Sequence, residues 1–199
     1  MGRIVHGNKN FGYADIVSTE SGGVVTYSFA NPVMLPGMVS MEVELDSDAQ
    51  NIYADNRSYC TIRGAKVRTA TATVRYVSAA YAQFLGYASN TNGMLTDTGV
   101  HKNHCIFFET EEYDDEQNIK TQTLHYLYKV NGGEPSRSSE TDEDDVTAEE
   151  IEIEYNCTES DWVVDDNGNN VSYGYITRTN ENAALYDSFK TTVILPTSA

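Results

Sequence analysis

The chain has 199 residues, a formal net charge of -17 and a mean hydropathy of -0.46. That is enough for one domain with a real core, and with no apolar run near the roughly 18 residues a membrane helix needs, a helical span is excluded. The charge is lopsided, with 7 Lys/Arg against 8 Asp/Glu in residues 1–100 and 6 against 22 in 101–199. Such a surface repels phosphates, which excludes nucleic-acid binding as the function but not proximity to DNA without adhesion.

In chain order, the opening MGRIVHGNKNFGYAD has neither a long apolar core nor a small-residue cleavage site. No signal peptide is expected, and synthesis in a cytoplasm is. GYADIV (12–17) and GGVVTYSF (22–29) read as strands around the Ser21-Gly22-Gly23 turn. After the Leu35-Pro36-Gly37 turn, MVSMEVELD (38–46) alternates Val39, Met41, Val43 and Leu45 with Ser40, Glu42, Glu44 and Asp46, the period of a half-buried strand. NIYADN (51–56), SYCTIRG (58–64) and VRTATATVRYV (67–77) are further strands. SAAYAQFLG (78–86) changes period: Tyr81, Phe84 and Leu85 share a helical face, Ser78 is placed to cap and Gly86 to terminate, which predicts a helix of about two turns.

HCIFFET (104–110) and TQTLHYLYKV (121–130) are strands flanking ETEEYDDEQN (109–118), which has six acids and no base. Residues 131–147 read as a long exposed acidic loop. It runs into ETDEDDVTAEEIEIE (140–154), with nine acids and no base, where Ile151, Ile153, Tyr155 and Cys157 alternate with Glu150, Glu152, Glu154 and Asn156. Asp165-Asp166-Asn167-Gly168 predicts a hairpin between WVV (162–164) and VSYGYI (171–176). ENAALYDSF (181–189) reads as a second short helix and FKTTVILP (189–196) as a last strand. Strands nearly throughout with one short helix predict a mainly β domain, a β-sandwich or small β-barrel with one flanking α-helix.

Chemistry is sparse. Cys60, Cys105 and Cys157 are odd in number and far apart, arguing against a disulfide framework or zinc site; they read as small buried hydrophobes. His104 and His125 lie among apolar neighbours, and His125 reads as structural. No metal-binding histidine pair, nucleophile elbow, phosphate loop or dinucleotide fingerprint occurs. Asp165, Asn167 and Asn169 match the first positions of a calcium loop, but Asn170 and Ile176 stand where Gly and Glu are needed, so the hairpin reading prevails. No catalytic residue, cofactor or metal is expected, and the chain does not read as an enzyme.

Taken in order, GNKNFGYADI, LPGMVSMEVELDSDAQNIYADN, RTATATVRYVSAAYAQFLGY, WVVDDNGNNVSYGYITR and LYDSFKTTVILP resemble segments of the major tail proteins of long-tailed phages of Gram-positive bacteria. The resemblance spans nearly the whole chain. It departs in 131–147, which is longer and more acidic, and at Ser188-Phe189, where Trp-Phe is more usual. It implies a single tail-tube-like domain over 1–199, made in the host cytoplasm and resident in the virion tail. Six copies would join sheets edge to edge into a ring, and stacked rings would form the conduit for DNA ejection. Tape-measure and tail-end proteins are the implied partners, with DNA passing unbound and no membrane involved. Under that resemblance Glu42, Glu44, Glu152 and Glu154 are expected to face the lumen. Asp48, Gln50, Ile52, Tyr53 and Asp55, in a polar loop over 46–56, are expected to contact the next ring, together with the arm before Phe11. The alternative from another class is a soluble β-sandwich binding or adhesion module that stays monomeric.

Overall fold

The computed structural model describes residues 3–46, 49–54, 57–63, 67–114, 119–137 and 149–196. The strands begin with β1 (Arg3–Ser21), β2 (Val24–Phe29), β3 (Val33–Met34), β4 (Met38–Asp46), β5 (Ala49–Ala54), β6 (Arg57–Arg63) and β7 (Val67–Val74). After helix α1 (Ala79–Ala82) come β8 (Leu85–Ser89), β9 (Leu95–His101), β10 (His104–Asp114), β11 (Ile119–Gly132) and β12 (Ser136–Arg137). β13 (Ile151–Cys157), β14 (Ser160–Val164), β15 (Asn170–Val171) and β16 (Tyr173–Thr177) follow, then α2 (Ala183–Asp187) and a 3-10 turn at Ser188–Lys190.

The main sheet runs β2-β1-β10-β11-β13-β7-β4, with β3 on β1, β12 on β13 and β16 on β11. All its pairings are antiparallel. β11 is the joint: Thr123–Leu127 pair with β16, while Val130–Gly132 pair with β13. From there β13, β7 and β4 fold back as a wing over β1, β10 and β11. The result is a sandwich of open sheets, not a closed barrel.

Alternation in β10 sends its side chains to two cores. Ile106 and Phe108 join Phe11, Tyr13 and Leu127 beneath Ala70, Ala72, Ile153 and Tyr155 of the wing. Cys105 and Phe107 join Leu124, Tyr126 and Tyr128 beneath Tyr186, Phe189, Val193 and Ile194 of the C-terminal segment. With both faces buried, β10 opens as the near-continuous apolar run HCIFF. Gly12 makes the approach of β1 possible, since a Cβ there would lie 2.5 Å from the Phe107 ring and 2.7 Å from the Val33 carbonyl.

A neutral polar chain crosses the first core. His104 Nδ1 lies 2.8 Å from the Lys102 carbonyl, which can only accept, so Nδ1 carries the proton. Nε2 then accepts from the Tyr81 hydroxyl at 3.1 Å, and that hydroxyl accepts from Tyr155 at 2.6 Å. Burial lowers the His104 pKa to about 4, outweighing the opposing pull of the Lys102 carbonyl.

Four segments differ from the sequence expectations. Ser78 caps as expected, its Oγ accepting from Tyr81 N at 3.2 Å, but α1 lasts one turn because Leu85 and Gly86 enter β8, which pairs with β9. The Asp165 turn forms, with Oδ1 accepting from Asn167 N at 2.9 Å and Asn169 N at 2.8 Å. Its hairpin is short, however, because β16 leaves to pair with β11. FKTTVILP is not a strand: Phe189, Val193 and Ile194 are buried against the second core, a spacing no alternating strand can satisfy. The segment read as an acidic loop from 131 begins as structure, with Asn131 and Gly132 completing β11 and Ser136–Arg137 pairing with β13; 138–148 lie outside the described residues.

Candidate functional site

The two glutamate-bearing strands, more than a hundred residues apart in sequence, meet on one face of the wing. In β4-β7-β13 the register aligns Glu42 and Glu154 on either side of Thr71. Glu44 and Asn156 flank Thr69, and Ser40 and Glu152 flank Thr73. Glu42, Glu44, Glu152 and Glu154 are all exposed. The intervening residues point the other way, with Ala70, Ala72, Ile153 and Tyr155 buried and Met41 and Val43 packed against the same core.

The spacing answers how a sheet tolerates this many carboxylates. Glu42 and Glu154 are kept apart by the threonine column of β7, two strand spacings or about 9.5 Å. At that distance like charges in water cost about 0.4 kcal/mol before salt screens them. Threonine also has high strand propensity, so it maintains the pleat where glutamate does not. At the head of the wing Arg75 NH2 lies 3.1 Å from Glu150 Oε1, and NH1 donates to the Glu149 carbonyl at 3.2 Å, tying the start of β13 to the end of β7. The wing ends in an open edge at β4, and β12 (which pairs with β13) is its other short margin.

The other acidic run behaves differently. Glu109 and Glu111 turn inward from β10, with Glu109 only 2 % exposed. Lys9 Nζ lies 2.8 Å from Glu109 Oε1 and also pairs with Glu111, which Lys120 contacts from the opposite side. Asn10, held at φ 54, donates to Glu109 Oε2 at 3.2 Å. The hydrogen bonds from Lys120 and Lys9 lower the Glu111 pKa to about 2. Burial works to lower the Lys9 pKa, but the two carboxylates outweigh it and raise it. Burial and then the adjacent Glu109 charge push the Tyr186 phenol well up.

This clamp corrects the expectation of a loose arm before Phe11, since β1 is paired with β10 from Arg3 onward. It was missed because Lys9 lies a hundred residues from its partners; the signal available was a base in a strand facing an acidic run. The expected polar loop over 46–56 also differs. Gln50, Ile52 and Tyr53 lie in β5, opposite Ile62, Cys60 and Ser58 of β6, so this part is a two-stranded pair of its own. Asp48 and Asp55 lie outside the described residues. His125 is structural as read, stacked on Phe108 at 4.7 Å with Nδ1 2.7 Å from the Tyr173 hydroxyl.

A family model described as phage tail tube protein matches residues 2–199. No curated protein matches the chain.

Proposed function

Since the chain belongs to the phage tail tube protein family, and is therefore a structural subunit of the virion tail tube rather than an enzyme, we propose that its acidic wing face lines the bore. Copies join at the open margins of the wing into rings, six to a ring as the resemblance implies, and the rings stack into the conduit for DNA. Tape-measure and tail-end proteins are its partners in the tail. The single observation that carries this reading is the convergence of Glu42, Glu44, Glu152 and Glu154 on one exposed face of a sheet that ends in open edges.

The physics follows from the charge. A polyanion moving past a wall of fixed carboxylates is repelled at every approach, so it slides instead of adsorbing. The threonine column keeps the wall hydrated without offering a cation to a phosphate. Screening over ~8 Å at physiological salt limits the repulsion to DNA close to the wall, and limits repulsion between neighbouring copies as well. Tails built with Glu42→Lys and Glu154→Lys should release DNA more slowly, and more so at low salt. Unchanged release kinetics in such tails would refute a bore-lining role.

For stacking, the β5–β6 pair and the residues beside it, with Asp48, Gln50, Ile52, Tyr53 and Asp55, reach the neighbouring ring. Deleting 48–54 should leave rings that no longer stack; full-length tubes from that variant would count against the assignment.

A further inference from the structure

The strand order β2-β1-β10-β11, with β16 on the far side of β11, leaves two margins outside the acidic wing. At one of them β1 runs beyond the start of β10, and from Ile16 to Ser21 it pairs with β2. This hairpin has water on both faces: Val17 is 41 % exposed, Val24 62 %, Val25 48 % and Tyr27 48 %. Two strands with so little cover are marginally stable at best. Alternation along β2 puts Val25, Tyr27 and Phe29 on one face as an apolar stripe, beside Glu20, Ser18 and Ile16 of β1, to which they are paired. The stripe continues onto the body at Trp162, whose ring lies 6.0 Å from Tyr27 and 4.6 Å from Phe29.

At the other margin, β16 borders a groove of about 440 Å³ between β11 and the C-terminal segment. Tyr126, Tyr128 and Ile194 line it, and Tyr175, Leu185 and Leu195 stand exposed at its rim.

Charge selects the occupant. Two copies at -17 each repel where their acidic surfaces meet, so surfaces on which charge is thin are the ones least opposed in meeting another copy. Residues 16–29 contain one charged residue, Glu20, and the lining of the groove contains one, Asp165. A basic partner would gain nothing from either surface and would be drawn to the carboxylates of the wing instead. We propose that the β1–β2 hairpin of one copy lies against the β16 groove of the next, with its Val25–Tyr27 stripe over Tyr175, Leu185 and Leu195. Phe29 at the base of the stripe lies 6.2 Å from Tyr128 of the groove in the same copy, but the two surfaces are different, so the contact is head-to-tail: each copy gives one and receives one, and the arrangement propagates or closes. The inference rests on the reading that the chain assembles with itself, and adds a contact outside the acidic wing.

Hydrogen exchange on the wild-type chain tests it in three states: dispersed subunits, tubes grown from the purified chain, and intact tails. Amides of Val24–Phe29 and of Tyr173–Thr177 should slow by about tenfold or more on tube formation. Val25→Asp and Leu185→Asp should each give a folded subunit that does not assemble, and Val25→Lys combined with Leu185→Asp should assemble again. Wild-type tubes in which either segment exchanges as fast as in dispersed subunits would overturn the contact, as would normal tubes from Val25→Asp. Protection seen in tails but absent from tubes of the chain alone would assign the surface to another tail protein and overturn it too. A wild-type chain that stays monomeric fails the assembly reading itself, a result distinct from tubes with an unprotected hairpin.

Discussion

β10 and β13 each carry a pair of glutamates two residues apart, Glu109 and Glu111 in one and Glu152 and Glu154 in the other, yet the two strands handle the charge in opposite ways. In β13, Glu152 and Glu154 stand in water beside threonines. In β10, Glu109 and Glu111 are buried and held by Lys9, Lys120 and Asn10. The difference lies in what the rest of the chain lays over each face. The outer face of the wing leaves its four glutamates exposed, whereas β1 brings a cation and a left-handed Asn10 across β10. Alternation decides which residues share a face; it does not decide whether that face is wet.

The contrast can be broken most sharply at Lys9. Replacing it with alanine strips Glu109 of its nearest cation while the carboxylate stays buried. Lys9 itself is partly exposed, which moderates the loss, so the cost should be about 2–3 kcal/mol in denaturant unfolding. A change under about 0.5 kcal/mol would mean that the clamp is not holding the arm.

Acid sharpens the comparison next. His104 has its pKa depressed to about 4, so the unfolded chain binds its proton first as pH falls below the ordinary histidine value near 6.5. Burial lowers the His125 pKa to about 4 as well, so stability should decline between about pH 6.5 and 4 through both histidines, and His104→Gln should make that limb shallower without removing it. Glu111, depressed to about 2, contributes stability that is present above its ordinary value of 4.5 and lost as pH falls towards 2. Glu111→Gln should remove this second decline. Urea titrations across pH separate the two windows, and one featureless slope shared by both variants would contradict the assignment.

The smallest effect belongs to the wet face. Glu152→Gln with Glu154→Gln should change monomer stability by no more than about 0.5 kcal/mol, because exposed carboxylates spaced by threonines interact weakly. A loss comparable to that of Lys9→Ala would show that these carboxylates have structural partners.

Much of the fold was legible because the code was local. β4 and β13 announce themselves by strict alternation, Ser78 by its position before an apolar helical face, and the Asp165 turn by Asn-Gly chemistry. What was illegible depended on distant pieces. LGYAS and LTDTGVH are poor strand formers individually and become β8 and β9 by pairing with each other. FKTTVILP has strand composition but is drawn out of regular structure by packing on the second core. Of the candidate surface, the four carboxylates could be named from sequence; that β7 places them on one face with threonine between them could not, since register is a tertiary property.

The central claim is that the face carrying Glu42, Glu44, Glu152 and Glu154 looks inward on a hollow assembly. An electron cryo-microscopy reconstruction of tubes grown from the purified chain, or of the tail itself, measures this directly. The account predicts a bore walled by β4, β7 and β13 with those carboxylates pointing at the axis. The same carboxylates on the outer surface of the tube, or a bore lined by lysine and arginine, would contradict it.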